Sequence, residues 1–495
     1  MLLILILTTI LAILIVRHYQ KVKKLPPGPF SLPLIGNSPQ IVYQLWKTGG
    51  VVPMLDSFRK EHGNVFTLWF GPLPHVSIVD YETAYDTFVK HGSRYADRMI
   101  PELLAMGRGN TGVLFSNGET WQEMRRFILT TFRNIGVGKD GMEERILEEI
   151  DIRFKEIDEI AIDGKTTLNS KDFFDLTIGS VINTILIGKR YQGESKPFFF
   201  ELRALLEASM EVFAPADLTV PLWFLKYFFP RRYNLIKKVN DNLFEYVGKE
   251  AKERLEDENK FIDPENPQDL VDAFILKIRA DNGANIYTLT NLQMILMDLW
   301  IAGQETTSTT LIAGFNQLMH NPEIMTKVRK EVRNITSDGS RPLLYSDRGD
   351  TPYLNAVVAE IQRFASVLNV NFWRINHELV EVAGYQVDGG TMIGAQIGGL
   401  HVNDEIFGDI TKFNPDRFYK NEKLINQLIS FGVGKRSCVG EALAKQELYM
   451  VTGNLILRYN ISPADGKLPS LEEGRPFSAS KRPIPSNLVF ERVAK

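Results

Sequence analysis

The feature that most constrains this chain is its only cysteine, Cys438, set within the run Phe431-Gly432-Val433-Gly434-Lys435-Arg436-Ser437-Cys438-Val439-Gly440. A lone cysteine is ordinarily a small buried hydrophobe. Its neighbours here argue for a ligand. Three glycines within nine residues permit tight, positive-φ backbone close to a bound group. Thiolate is a strong iron ligand, and turn amides facing the sulfur would tune it. Arg436, two residues earlier, suits a nearby anion. The following run EALAKQELYMVTGNLIL reads as a helix whose N-terminus lies by the sulfur and favours the thiolate. The run is not a dinucleotide fingerprint, because Ser437 stands at the third glycine position and no strand-to-helix unit follows.

With one cysteine, the 495 residues hold no intrachain disulfide and no multi-cysteine zinc site. The working part gains nothing from an oxidising compartment, which places it on the cytosolic side. A hydrophobic share of 44% and a charged share of 24% are ordinary for a globular chain. This size can bury a large core around a cofactor cavity. A net charge of −3 excludes a nucleic-acid binder held by bulk positive charge.

Residues 1–16 are apolar apart from Thr8 and Thr9, a helix of roughly 24 Å at 1.5 Å per residue. A cleaved signal peptide would carry its basic residues before the apolar run. Here Arg17, Lys21, Lys23 and Lys24 follow it, so the reading is an uncleaved anchor with its C-terminal side in the cytosol. Residues 1–24 are therefore expected as a membrane anchor with a basic stop, 25–30 (LPPGPF) as a stiff proline-rich spacer, and 31–495 as one domain. Within it, 140–160, 232–259, 268–281 and 291–319 read as helices, 64–80 and 379–399 as short strands, and 258–268 as a turn-rich loop. Residues 214–231 crowd Trp223, Phe224, Tyr227, Phe228 and Phe229 together. This cluster reads first as buried core and second as a monotopic membrane contact beside Lys226 and Arg231.

Three further patterns carry chemistry. Ala302-Gly303-Gln304-Glu305-Thr306-Thr307 interrupts a helix flanked by Leu292, Ile295, Leu296, Leu299, Leu311 and Phe315. A polar patch on a surface helix would look similar, but these flanks bury it, and a buried acid–alcohol pair needs a reason. A threonine hydroxyl can bond the i−4 carbonyl and open the helix locally. Glu360 and Arg363 sit at i, i+3, on one helix face, a spacing that surface pairs also show. Trp121 and Arg125 sit at i, i+4, so an indole N–H and a guanidinium can point the same way.

FGxGxRxCxG resembles the cysteine-ligand loop of the cytochrome P-450 superfamily, the haem-thiolate monooxygenases. The resemblance runs from LPPGP onward and is closest to the animal microsomal family-2 branch and its nematode relatives. It implies a mainly helical, triangular single domain with small β-sheets, preceded by an N-terminal transmembrane helix. It implies haem b held by Cys438, with Phe431 and Gly440 in the ligand loop. It implies an oxygen-side helix in which Ala302 and Gly303 make room while Glu305 and Thr306 deliver protons. It implies that Trp121, Arg125, Arg436, Arg98 and Arg374 bind the propionates, and that Arg417 joins Glu360 and Arg363 in a lock beneath the cysteine loop. Trp373-Arg374 replaces the branch's usual Pro-His, which alters the pocket wall but keeps a carboxylate partner.

The implied reaction inserts one oxygen atom into a lipophilic substrate, a fatty acid, steroid or xenobiotic, and reduces the other to water. No FMN or NADPH module is recognisable in the sequence, so a separate NADPH-dependent reductase is the expected partner, with cytochrome b5 as a further donor. Arg126, Arg133 and Lys435 are candidates for its docking face. The expected location is the endoplasmic reticulum membrane. Residues 99–115, 205–220, 302–306, 370–374 and 477–483 would shape the pocket, with Phe213, Phe372 and Phe477 making it apolar. A reductase-independent haem-thiolate isomerase or dehydratase is the alternative, disfavoured by the intact Glu305-Thr306 pair. A non-catalytic haem sensor or lipid carrier is a third.

Overall fold

The computed structural model describes residues 1–137, 140–212, 220–257, 261–281, 286–474, 478 and 480–493. Helix α1 (Leu2–Val22) continues past the sixteen apolar residues through its basic end. At 1.5 Å per residue it is roughly 31 Å long, matching a hydrocarbon core of about 30 Å. Its last turn touches the body: His18 Nε2 lies 2.8 Å from Ser31 Oγ, and the imidazole packs on Trp69 at 4.5 Å.

Residues 25–30, expected as a stiff spacer, are extended and docked on β1. Thr67 donates its N–H to the Pro27 carbonyl at 2.8 Å and its hydroxyl to the Pro26 carbonyl at 2.9 Å. Leu25 is buried. Proline lacks an N–H but keeps its carbonyl, so an extended proline run can still accept from a strand. The approach is so close that a Cβ on Gly28 would lie 2.1 Å from the Thr67 carbonyl oxygen.

Strands β1 (Val65–Phe70) and β2 (Leu73–Ile78) form an antiparallel hairpin. They belong to a five-stranded sheet ordered β1-β2-β8-β5-β3, with β3 (Asp97–Arg98), β5 (Arg374–Ile375) and β8 (Met392–Ala395); β2 and β8 run parallel. Strands β6 (Val380–Val382) and β7 (Tyr385–Val387) make a two-stranded ribbon. Strands β4 (Lys165–Asn169), β9 (Tyr459–Pro463) and β10 (Asn487–Arg492) make an antiparallel sheet ordered β4-β10-β9.

The helices that build the site are α2 (Gly118–Asn134), α3 (Asp140–Ile160), α4 (Ser170–Ile187), α5 (Lys196–Glu211), α6 (Leu222–Phe228), α7 (Pro230–Glu256), α8 (Leu270–Asp281), α9 (Leu289–His320), α10 (Pro322–Ile335), α11 (Pro352–Ala365) and α12 (Glu441–Arg458). Each helical stretch read from the sequence is present, with ends displaced by a few residues. Helix α9 begins at Thr288, whose hydroxyl accepts the Asn291 N–H at 3.2 Å, a standard N-cap. It is apolar on most of its circumference, so it runs through the centre. Helix α4 is capped by Asn169 and ends at Gly188 with φ 65°, the left-handed residue that closes helices. One continuous core joins α2, α3, α4, α8, α9, α10, α11 and α12, and a smaller one fills the five-stranded sheet.

The aromatic cluster is not core. Trp223, Tyr227, Phe228 and Phe229 are all more than half exposed, and Leu225 is the residue of α6 that is buried. Leu225 enters a small cluster with Leu103, Val212 and Ile236. A helix of under two turns can bury only one such face, so the crowded rings on its other sides stay outside.

Candidate functional site

The cysteine loop is built by backbone. The Cys438 N–H donates to the Phe431 carbonyl at 2.9 Å, and Ser437 N–H to that of Gly434 at 2.9 Å. Gly434 has φ 78°, and a Cβ there would lie 1.9 Å from the Phe88 carbonyl oxygen, so only glycine fits this turn. The chain then enters α12 at Gly440, whose N–H is directed at the Cys438 sulfur. The Cys438 side chain is exposed, while the protein around it sets its titration. Burial pushes the thiol up, while the Gly440 N–H, Arg125 and Arg98 favour the thiolate.

Four guanidiniums gather beside the thiol. Arg98, on β3, donates Nη1 to the Leu114 carbonyl at 2.5 Å and lies over the Phe372 ring at 4.7 Å. Arg125 of α2 donates to the Ser437 carbonyl at 2.7 Å. Arg436 donates to the carbonyls of Ala96 at 2.6 Å and Ser116 at 2.7 Å, and stacks on Trp121 at 3.9 Å. Arg374 pairs Arg98 across β3 and β5. Burial pushes Arg98 down to about 10. It pushes Arg374 well below its ordinary range, helped by repulsion from Arg98, Arg436 and Arg125. Among the described residues, Arg98 Nε and Arg374 Nη1 are buried without a hydrogen-bond partner. Mutually repelling cations with orphaned N–H groups beside a thiol fit a ligand that carries carboxylates and a thiophilic metal. The residues present therefore fit haem. Of the expected propionate ligands, Arg374 and Arg98 have free N–H groups, whereas Arg436 spends its donors tying the cysteine loop to residues 96–117.

On α9, Ala302 is accessible although Leu299, Trp300, Gln304 and Thr307 around it are buried. Thr306 donates its hydroxyl to the Ala302 carbonyl at 2.7 Å, the i−4 bond expected from the sequence. Gly303 presents its missing side chain to α4, where a Cβ would meet Ile182 Cδ1 at 2.8 Å, so its smallness lets the two helices approach. Glu305 is paired with Arg482: its Oε1 lies 3.2 Å from Arg482 Nη2.

Beneath the loop, Arg363 of α11 holds Glu360 through two bonds of 2.8 Å, and Arg417 adds Nε at 3.1 Å. Glu360 also accepts the Asn414 N–H at 2.9 Å. The three residues meet as a buried lock.

Several supporting residues carry no sequence signal, because their partners lie far along the chain. Asp298 of α9 accepts the N–H groups of Val113 at 2.8 Å and Leu114 at 2.9 Å, and pairs with Arg108 at 2.7 Å. This pins the segment over the site, where Phe115 meets Phe372 edge-on at 5.5 Å. His401 joins Ser366 at 2.7 Å to the Ile429 N–H at 3.1 Å, bracing the approach to the cysteine loop. Trp373, the unusual pocket-wall residue, packs on Phe70 at 5.4 Å and His75 at 5.8 Å. The expected pocket residues Phe213 and Phe477 lie outside the described residues.

A family model described as "Cytochrome P450" matches residues 26–490. "Probable cytochrome P450 cyp-35D1" of Caenorhabditis elegans is 49% identical over 503 residues, covering 100% of both chains. "Cytochrome P450 2G1" of Rattus norvegicus is 30% identical over 455 residues, covering 89% of each, and "Cytochrome P450 2A6" of Homo sapiens is 30% identical over 469, covering 92% of each.

Proposed function

The chain belongs to the cytochrome P450 monooxygenases, and from that membership we propose that it inserts one atom of dioxygen into a lipophilic organic substrate, using NADPH electrons delivered by a separate reductase. The observation that carries this reading is the guanidinium cluster beside the accessible Cys438 thiol.

Haem b, when bound, supplies dioxygen activation, with Cys438 as its thiolate ligand. The chain's own residues do the rest. Arg374, Arg98 and Arg125 would hold its carboxylates, with Trp121 packed beneath Arg436. The Gly440 N–H steadies the charge on sulfur. Ala302 leaves space on the opposite wall, and the Thr306 hydroxyl, already tethered to the Ala302 carbonyl, is placed to pass a proton inward. Phe115 and Phe372 give the substrate an apolar wall, which favours hydrocarbon-rich molecules. Arg126, Arg133 and Lys435 are all exposed and suit an acidic reductase surface.

Helix α1 and the exposed rings of α6 support a body held at the endoplasmic reticulum membrane by a spanning anchor and a second, shallow contact. Phe30, Tyr43 and Trp46 are also exposed.

The test is the absorption spectrum of the reduced, carbon-monoxide-bound protein, then turnover of a lipid library with reductase and NADPH. The thiolate-type red-shifted band is expected in the wild type and absent in Cys438→Ser, because a hydroxyl is a poorer donor to iron than a thiolate. Retention of that band in the mutant would remove the ligand assignment. Oxygenated product that forms without NADPH would favour the isomerase reading. Thr306→Ala should keep consuming NADPH while product per NADPH falls by about a hundredfold, the low end of a general-acid contribution.

A further inference from the structure

Asp298 and Ala302 stand at i, i+4 on α9, so helical periodicity puts both on one side of that helix. Whatever Asp298 holds therefore lies about one turn, roughly 6 Å, along the wall from Ala302. It holds the segment 108–114. Its Oδ2 accepts the N–H groups of Val113 and Leu114, Asn291 Oδ1 accepts that of Gly112 at 2.7 Å, and Asp298 Oδ1 accepts Arg108 Nη2 at 2.7 Å. The approach leaves no room for a side chain at residue 112, where a Cβ would lie 2.3 Å from Asp298 Oδ2.

Arg108 is 6% exposed. Its guanidinium lies over the Phe115 ring at 5.1 Å, Phe115 meets Phe372 edge-on at 5.5 Å, and Phe372 carries Arg98 at 4.7 Å. Two guanidiniums thus flank one aromatic pair. Arg98 serves the end that takes the haem carboxylates. Arg108 stands at the other end, on the stretch of α9 that leads to the accessible Ala302. Asp298 takes its Nη2, and among the described residues Nη1 is buried without a hydrogen-bond partner. A buried donor left unpaired costs free energy, so an acceptor carried by a bound molecule gains there.

Charge balance selects the acceptor. Arg108 and Asp298 cancel. Arg98 also feels Asp298, but its own free N–H belongs with the haem carboxylates. A substrate carboxylate would therefore bring an uncompensated anion into a buried place beside the Asp298 carboxylate, which is costly. A neutral carbonyl oxygen accepts the same N–H and adds no charge. The Phe115–Phe372 wall suits an apolar body attached to it.

We propose that Arg108 is a specificity-determining residue whose free N–H binds a neutral carbonyl oxygen of the substrate, so that the pocket prefers uncharged carbonyl-bearing lipophiles, ketones and esters, over fatty-acid anions. The proposal rests on the monooxygenase reading of the site. Because Asp298 and Asn291 fix the segment, the donor is in place before the substrate arrives, and little side-chain entropy is lost on binding.

The test uses the full-length holoenzyme and three probes of equal chain length: a long-chain methyl ketone, the alkane and the fatty carboxylate. Shifts of the ferric haem absorption on binding give dissociation constants without reductase, and the infrared stretch of an isotope-labelled ketone carbonyl reports its hydrogen bond. The ketone should bind about tenfold or more tighter than either other probe, the effect of one hydrogen bond to a charged group, and its stretch should move to lower frequency when bound. In Arg108→Met the preference over the alkane should fall by about tenfold or more, and the stretch should return toward its position in hydrocarbon solvent. Arg108→Met combined with Asp298→Asn strands no charge and keeps an acceptor for the loop N–H groups. If the single variant does not hold haem, this double variant decides by the same two readouts. A wild-type stretch that does not move, a ketone preference that survives in the deciding variant, or a carboxylate that binds tighter than the ketone overturns the proposal. A wild type that ranks the probes as stated but forms no oxygenated product with reductase and NADPH would count against the monooxygenase reading and leave the Arg108 subsite standing.

Discussion

Arg417 directs its Nε at both oxygens of Glu360, at 3.1 and 3.3 Å, across 57 residues of sequence. Its other nitrogens donate to the carbonyls of Phe407, Asp409 and Lys412. Arg363 closes the opposite side of the same carboxylate. One buried anion thus holds two cations and, through them, the segment that leads to the cysteine loop. Glu360→Ala should cost roughly 3–5 kcal/mol, the penalty for leaving buried charge without its partner. The check is thermal unfolding of the variant together with the haem content of the purified protein. A melting temperature within a degree of wild type would mean that the lock carries little stability.

Gly434 and Gly440 lie in one loop but should respond oppositely to alanine. At Gly434 the positive φ and the Phe88 carbonyl leave no room for a Cβ. Gly434→Ala should therefore cost at least roughly 1–3 kcal/mol in backbone strain, displace Cys438, and reduce the red-shifted band. At Gly440, φ is −95° and the nearest atom to a Cβ is the Cys438 sulfur at 3.9 Å, an ordinary contact. Gly440→Ala should bind haem normally. Equal loss of the band in both variants would contradict this account of the loop.

Two buried histidines set a pH dependence. Burial pushes His75 and His401 from 6.5 down to about 3. Because the folded values are depressed, the unfolded chain takes up protons first as the pH falls. The stability of each neutral imidazole is complete above about pH 6.5 and is lost progressively toward pH 3, at about 1.4 kcal/mol per pH unit per histidine. Urea unfolding below pH 6.5 should show this contribution, and His75→Gln or His401→Gln should each flatten the slope by about 1.4 kcal/mol per pH unit. A slope unchanged in both variants would assign the loss to other groups.

The membrane end divides into two truncations. Deleting residues 1–17 removes the apolar run of α1 but keeps His18 against Trp69. Deleting residues 1–24 exposes that contact as well. The first should leave thermal stability unchanged, and the second should lower it by roughly 0.5–1.5 kcal/mol, the loss of one partly buried aromatic contact. Both should still bind liposomes, reversibly and more weakly than the full chain, until Trp223→Ser and Phe228→Ser are added. If the truncated chains never sediment with liposomes, the α6 rings make no membrane contact.

Local pattern was enough for a good part of this protein. The cysteine loop is written in consecutive residues, since turn glycines, thiol and following helix must be neighbours in the chain. The same holds for Glu360 and Arg363 and for the Thr306 bond to Ala302, which are set by helical periodicity. The long helices were legible because their apolar positions repeat over many turns. The tertiary structure decided everything that depends on distant segments meeting. It placed Arg482 on Glu305, Asp298 under the loop at 112–114, and His401 between Ser366 and Ile429, none of which has a fixed spacing to read. It also decided where two local segments lie. The 25–30 run is docked because a carbonyl-only partner still completes a strand, and the α6 rings are exposed because so short a helix covers only one face. Composition gives the residues that want burial, but the packing of distant elements decides which of them obtain it.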